Sequence, residues 1–585
     1  MITIFKKTYF KSYDAQYRGF VYIAAFVCWV AAASADGTLS TEPAALDFTN
    51  TRSLWRADPN LTGEGVVIGT ICRSMTYVDG EPQNDYRFNM SHNSLYDSDV
   101  SFADGTDGQF GTSEHATAIA GVLLGLDENA SHPDIGTFDY QGACPDASVN
   151  VYEFEQFSIR NLLGRHPITE DIILLSLGDI FQDWWTRALE QAAAEKDFLL
   201  VASVGNGISV YTPKPLYPGA GANVLGVGVV DAITDDDGTL SLGNFSTPKS
   251  LNSSVGPTED QRCKPDIVAP GTALVPSGNR ANGYTIQDNW SSLASPIVAG
   301  TAALLEQKAS SDASLNKDFH QPGKSLVLKA VLMNSARKLP FWHKGRIAPS
   351  DDHETPLDYA QGAGLLDGLA AQKQLTAGKG KPGSVQSIGW DNRVLQGNGP
   401  GHAYGFSVTE PNQMITATLC WNRIYQPAYP FNRMLDEDRD LRLELWGVDP
   451  DNPKERVLLD YSDSVNDNVE HIYFACRSDY PAYAIRVRFN EEQPSDASTE
   501  QQFALAWSVG PDRQIGNPWW NDLNADNQID NTDKLIHILI DSGTITEIDT
   551  MFLEQALKIS HDRIQLLSEN WGEWKTYLSK WAPSE

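Results

Sequence analysis

Gly65-Val66-Val67-Ile68-Gly69-Thr70-Ile71-Cys72 carries no charged residue, and two later stretches share that property: Ile172-Ile173-Leu174-Leu175-Ser176-Leu177 and Phe198-Leu199-Leu200-Val201-Ala202. A strand with one face in water alternates apolar and polar residues, so near-continuous apolar runs of this length belong to strands covered on both faces. Helical stretches lie between and after them, at 115–124, 184–196 and 294–308. Short buried strands separated by helices predict an α/β domain with a mainly parallel, doubly wound sheet over residues 65–377. A dinucleotide-binding sheet needs a GxGxxG turn directly after its first strand. Here Gly63-Glu64-Gly65 precedes the strand and no such turn follows it.

The remaining chain is read outward from that domain. A length of 585 residues leaves room for further domains, at about 150 residues each. The glycine- and lysine-rich segment 378–384 reads as a linker. Period-2 alternation at 415–420, 441–446, 483–488 and 503–507 predicts an antiparallel β-sandwich over 385–512. Asn517-Pro518 introduces a small helical module assigned to 513–585. Toward the N-terminus, Lys6, Lys7, Lys11 and Arg18 precede an apolar run at 20–33 and the small residues Ala33-Ser34-Ala35. That is the layout of a secretory signal over 1–35, leaving a short extension at 36–64. An uncleaved anchor is the competing reading, although the run falls short of the roughly 20 residues that span a bilayer. No later segment is apolar and long enough to span one, so the mature chain is expected to be secreted or held at the cell surface.

Lys plus Arg number 44 and Asp plus Glu 76, for a formal charge of −32. Loss of 1–35 would remove four basic residues and one acidic residue, taking it to −35. Such a balance excludes a chain that binds nucleic acid mainly through phosphate contacts and suits carboxylates used on the surface or around calcium. Beyond Cys28, five cysteines remain, at 72, 144, 263, 420 and 476. They form neither a disulfide framework nor a CxxC or Cys/His zinc pattern.

Three residues stand where chemistry is available. Ser292, in Trp290-Ser291-Ser292-Leu293-Ala294-Ser295-Pro296, opens a helix of small residues, where the dipole and unpaired N–H groups can stabilise an oxyanion. A serine there can also be a simple N-cap. His115, in Glu114-His115-Ala116-Thr117, starts another such helix, as a general base or a solvated helix start. Asn206, in Val204-Gly205-Asn206-Gly207, could donate an amide N–H to an oxyanion or serve only the turn.

Taken in this order, the segments resemble those of the subtilisin-like serine proteases. Gly142-Ala143-Cys144-Pro145-Asp146-Ala147 resembles the family's G-x-A-P-x-A, and Leu175-Ser176-Leu177-Gly178 its S-L-G strand end. Lys264-Pro265-Asp266-Ile267-Val268-Ala269-Pro270-Gly271 matches K-P-D-x-x-A-P-G, and Gly362-Ala363-Gly364-Leu365-Leu366-Asp367 the closing G-x-G-x-x-D. The resemblance implies attack by Ser292 on a peptide carbonyl of a protein or peptide substrate, His115 as base and then acid, and Asn206 with the Ser292 N–H as oxyanion donors.

The pattern breaks at the acid. The family places an aspartate at the end of the first core strand, where this chain has Cys72. A thiol with a reference pKa near 8.5 is mostly neutral at pH 7 and a weak acceptor. A different acid, Asp79 or Asp85, could reach His115, Cys72 could act as a thiolate beside imidazolium, or the domain could be slow or silent. Ala116 and Trp290 also stand where the family usually has glycine, and Trp290 could crowd the cleft. Two hypotheses follow: a serine endopeptidase with a weakened acid, or a silent peptide-binding protein of the same fold.

The segments at 415–421, 438–443 and 468–470 resemble the β-sandwich that follows the protease domain in some bacterial subtilases. Asp436, Glu437, Asp438 and Asp440 there could bind Ca²⁺ or be solvated loop charge. In the last module, Asp522, Asn524, Asp526, Gln528, Asp530 and Asp533 occupy loop positions 1, 3, 5, 7, 9 and 12, the spacing that wraps oxygen donors around Ca²⁺. The loop resembles that of dockerins and EF-hands, and a second half-site at 542–549 lacks the early carboxylates. Ile564, Leu567, Trp571, Trp574, Leu578 and Trp581 share one helix face. That face would pack on the calcium module or dock a cohesin-like scaffold or cell-surface partner, as the dockerin resemblance implies.

Overall fold

The opening apolar run forms strand β1 (Val67–Cys72) of a seven-stranded sheet in the computed structural model. The structure describes residues 40–511 apart from 79–80, 104–110, 211–213, 235–238, 341, 346–352, 398, 409–412, 436–438, 449–454, 478 and 491–499. The segment read as a signal, the module at 513–585 with Asp522, Asn524, Asp526, Gln528, Asp530 and Asp533, and Asp79 all lie outside the described residues.

The other strands of the sheet are β2 (Val100–Phe102), β3 (Ser148–Glu153), β4 (Ile172–Leu175), β5 (Leu199–Ser203), β6 (Leu225–Val230) and β7 (Ile267–Pro270). They lie in the order β7-β6-β5-β4-β1-β3-β2, every neighbouring pair parallel. The apolar runs are explained by strand alternation between two cores. Ile68, Ile172, Leu174, Leu199 and Val201 face one buried cluster, while Ile71, Ile173, Leu175, Leu200 and Ala202 face the other. Helices α1 (Glu114–Leu124) and α3 (Ser291–Ser311) cover the first face, and α2 (Trp184–Lys196) the second. Coverage on both sides is what frees these strands from carrying polar residues.

Helix α2 begins where Asp183 accepts from the Trp184 N–H at 2.6 Å, and stops at Asp197, whose φ of 60° is left-handed. Helix α3 starts three residues before the expected 294, for a reason that lies in the site. A further helix, α4 (Lys324–Asn334), packs on the first face and leads toward the C-terminal unit.

That unit contains β8 (Gly383–Ser384), β9 (Ile388–Gln396), β10 (His402–Ser407), β11 (Gln413–Trp421), β12 (Leu441–Val448), β13 (Arg456–Ser462), β14 (Val469–Ala475), β15 (Ala482–Phe489) and β16 (Glu500–Pro511). They form two sheets, β8-β10-β15-β12-β13 and β9-β16-β11-β14, antiparallel apart from the β8–β10 pair. Tyr404 of one sheet and Trp507 of the other meet in a shared core, ring centroids 5.3 Å apart.

The segment read as a linker is partly built into this unit. Gly383 and Ser384 pair with Tyr404 and Gly405, and the Gly380 N–H donates to the Trp390 carbonyl at 2.7 Å. Trp390, Cys420, Val469, Ala504 and Ala506 extend the core that contains α3 and α4. A large apolar side chain fully buried in such a seam contributes about 1.5–3 kcal/mol. The two units are therefore joined by a hydrophobic seam rather than by a tether.

Candidate active site

The first turn of α3 sits over the C-terminal ends of β4 and β5. Its N-cap residue is Trp290, whose side chain makes no cap hydrogen bond, so the N-terminal donors need partners from elsewhere. Asn206, on the turn after β5, supplies one: its Oδ1 accepts from the Ser291 N–H at 2.8 Å and the Ser291 hydroxyl at 2.7 Å. This cap from a distant loop lets the helix begin at Ser291. Ser292 is the second residue of the helix and is not its cap. Its Oγ lies 3.4 Å from the Ser176 carbonyl oxygen, and the residue is 6% exposed.

Pro296 explains the hydroxyls beneath the helix start. It has no N–H to donate to the carbonyl four residues back, which is that of Ser292. The Ser176 hydroxyl takes the vacated position, donating to the Ser292 carbonyl at 3.3 Å and lying 3.0 Å from the Ser295 Oγ. The Ser203 hydroxyl donates to the Ser291 carbonyl at 3.0 Å and lies 2.9 Å from the same Ser295 Oγ. Ser176, Ser203 and Ser295 were not singled out in the sequence. The signal was present, since a proline four residues after a candidate nucleophile leaves its carbonyl unbonded within the helix.

The turn holding Asn206 depends on its two glycines. Gly205 and Gly207 have φ of 108° and 65°, and a Cβ on Gly207 would lie 2.2 Å from the Ser250 carbonyl oxygen.

His115 is the second residue of α1. Ser113 caps that helix, its Oγ accepting the Ala116 N–H at 3.0 Å, and Ala116 itself is buried. His115 retains an exposed surface, while residues 116–124 behind it are buried. Helices α1 and α3 pack together on the same face of the sheet. Desolvation by the surrounding protein pushes the imidazole pKa below its ordinary value. Among the described residues, no carboxylate hydrogen-bonds His115.

Cys72 ends β1, in register with Glu153 of β3. Asp85, one of the two alternative acids, is committed elsewhere. Its Oδ1 accepts from the Ser74 hydroxyl at 2.6 Å and the Met75 N–H at 3.1 Å, bonds that hold its pKa down against the opposing effect of burial. Asp85 is thereby tied to Ser74 and Met75, and among the described residues no hydrogen bond joins it to His115. Glu153 is the acid that sequence reading passed over. It is fully buried beside Cys72, accepts from Glu155 N at 2.8 Å and Gln156 N at 3.0 Å, and has its pKa pushed up by burial. Those bonds cap the following turn.

Loops at the same sheet edge are tied to one another. The segment after β4 pairs with the one before β6: Asp179 N donates to Tyr217 O at 2.7 Å, and Tyr217 N to Asp179 O at 2.8 Å. Ile180, Phe181, Ile208 and Trp290 leave large apolar surface exposed there, Trp290 at 39%. Farther away, Asp440 is buried rather than solvated, accepts from the Asn490 amide at 3.1 Å, and has its pKa pushed up to about 7 by burial. Among the described residues, no cluster of three or more His, Cys, Asp or Glu is placed to hold a metal, and no helix is long and apolar enough to cross a membrane.

Comparison with known proteins places this geometry in context. The model of the subtilase family matches residues 63–364. The PII-type proteinase of Lacticaseibacillus paracasei is 35% identical over 125 residues, 20% of this chain and 6% of that protein. The PI-type proteinase of Lactococcus lactis subsp. cremoris matches to the same extent. The serine protease/ABC transporter B family protein tagA of Dictyostelium discoideum is 29% identical over 201 residues, 29% of this chain and 10% of that protein. The chain thus spans only about a tenth or less of the length of these relatives.

Proposed function

This chain belongs to the subtilase family, and on that premise we propose that it is a serine endopeptidase that cleaves protein or peptide substrates through Ser292. The observation that carries this reading is the first turn of α3, where Asn206 caps the helix through Oδ1 and is thereby held against the residue before Ser292. In the proposed reaction the Ser292 Oγ attacks the scissile carbonyl carbon as its proton passes to His115. The oxygen that becomes negative accepts from the Ser292 N–H, one of the helix-start donors without an intrahelical partner, and from the Asn206 amide. Collapse breaks the C–N bond, and the leaving amine takes the proton from His115. Water then repeats the sequence on the acyl ester, releasing the acid and regenerating Ser292.

With Cys72 in the position of the family's aspartate, imidazolium gains little stabilisation, and loss of the triad acid in serine proteases costs about 10⁴-fold in rate. The proposed enzyme is slow for that reason. A fluorophosphonate probe tests the reading: wild type labels and Ser292→Ala does not. Absence of labelling in folded wild type would leave the silent peptide-binding reading in its place.

We further propose that the chain is exported and that the loop at 522–533 binds one Ca²⁺ through the donors named above. The support is the donor spacing in the sequence alone. Calorimetric titration of chelator-treated protein with Ca²⁺ is expected to show a site that Asp526→Ala abolishes. No heat of binding in wild type would refute it. A cohesin-like or cell-surface partner for the 513–585 module belongs to the same proposal.

A further inference from the structure

The connection between β11 and β12 reaches out of the C-terminal unit and lies against α2 of the protease unit. Residues 422–434 fold on themselves, with Tyr425 and Arg433 paired and the Met434 N–H donating to the Ile424 carbonyl at 2.8 Å. Phe431, in the left-handed region at φ 55°, is 4% exposed within the core formed by Trp185, Ala188 and Leu189. A bulky residue held at positive φ marks a segment whose shape is set by its surroundings.

Two side chains of α2 join this segment to the loop at 178–183. Arg187 donates from Nη1 to the Gln182 carbonyl at 2.8 Å, and from Nε and Nη2 to the Pro430 carbonyl at 3.2 and 3.1 Å. Glu190, fully buried, accepts from Gln182 Nε2 at 3.1 Å through one oxygen, and from Tyr425 OH and Asn223 N, both at 3.0 Å, through the other. The 178–183 loop leaves β4 directly after Ser176, whose carbonyl contacts the Ser292 hydroxyl, and it presents exposed Ile180 and Phe181.

We infer that residues 422–434 act as a strap that positions the 178–183 loop, so that the C-terminal unit helps to set the affinity for peptide bound along that loop. This rests on the peptidase reading for the location of the peptide. Arg187 and Tyr425 are positioning residues: they touch the loop or its anchor and not the reacting atoms. The strap transmits position because its contacts are buried and directional, which fixes distances more tightly than a flexible linker does.

The test uses the full chain with Arg187→Met and Tyr425→Phe, and Arg165→Ala as control, since Arg165 bonds the strap at the Pro427 carbonyl without touching the loop. The Kd of a fluorescent peptide on the Ser292→Ala background reads affinity whether or not wild type is catalytic. Arg187→Met is expected to weaken binding about tenfold, the equivalent of one hydrogen bond to a charged group. Tyr425→Phe should weaken it less and Arg165→Ala not at all. In the active background KM rises while kcat stays within about twofold, the pattern of lost uniform binding. Amide exchange at 178–183 rises in both variants and remains unchanged across the sheet strands. Unchanged Kd and loop exchange, or exchange raised equally throughout the α2 side of the sheet, would overturn the strap. Absence of peptide hydrolysis by wild type counts against the peptidase reading alone, because loop exchange and Kd still decide the strap.

Discussion

The two sides of the candidate active-site edge differ in how tightly they are held. On the α3 side, Ser292 and Asn206 take part in bonds that also build the fold: Asn206 caps the helix, and Ser176 and Ser203 satisfy carbonyls at its first turn. On the β1 side, the residue in the acid's place is the last of its strand. Its backbone pairing with Glu153 is independent of its side chain. Replacing Asn206 therefore disturbs helix capping whatever it does in the proposed chemistry, whereas the side chain at 72 can change without costing the sheet a bond.

Restoring the carboxylate is the strongest way to break the contrast. Cys72→Asp is expected to raise kcat about 10³-fold, roughly 4 kcal/mol of barrier. Steady-state kinetics on a chromogenic peptide measures this, and an unchanged kcat would show that another group already orients His115. Weakening the better-held side comes next. Asn206→Ala should lower kcat by about 10²-fold through the lost oxyanion donor. It should also destabilise the protein by about 1 kcal/mol through the lost cap, read as a lower denaturation midpoint.

The third effect is on pH dependence. Partial desolvation by the surrounding protein lowers the His115 pKa, so the neutral base persists below the pH at which a free imidazole would protonate. The acid limb of kcat/KM is expected below pH 6.5, with activity rising as pH increases through it and already level near pH 7. In Cys72→Asp the new carboxylate favours imidazolium, so the same limb should move up by about one unit or more. A limb that does not move would place residue 72 out of reach of the imidazole. The smallest effect is structural. Ser176→Ala leaves the Ser292 carbonyl without its substitute donor and should cost about 1 kcal/mol of stability, with kcat little changed.

Much of the protease unit was legible along the chain. The strand expected at 66–71 is Val67–Cys72, and the helix expected at 184–196 is Trp184–Lys196. Both rest on local patterns: continuous apolar residues for a strand covered on two faces, and an aspartate cap with a helical apolar period. Ser292, His115 and Asn206 could be singled out because each sits at the end of such an element. Three features were not legible. Helix α3 begins at Ser291 because a residue 85 positions away caps it. Gly383 and Ser384 carry no strand signal but complete a sheet edge. Phe431 lies in a connection without periodicity, and its burial depends on α2, more than 200 positions earlier.

From the order of apolar runs, turns and motifs alone follow the α/β class, the family resemblance and the expectation of an aspartate where Cys72 stands, because these depend on residue identity and spacing along the backbone. Which acid faces His115 depends on distances through space. In three dimensions Asp85 is committed to Ser74 and Met75, Glu153 caps its own turn, and no carboxylate among the described residues hydrogen-bonds His115. Folding sets these partnerships because a buried carboxylate must find its hydrogen bonds nearby, and the backbone N–H groups closest to each one outcompete a more distant imidazole.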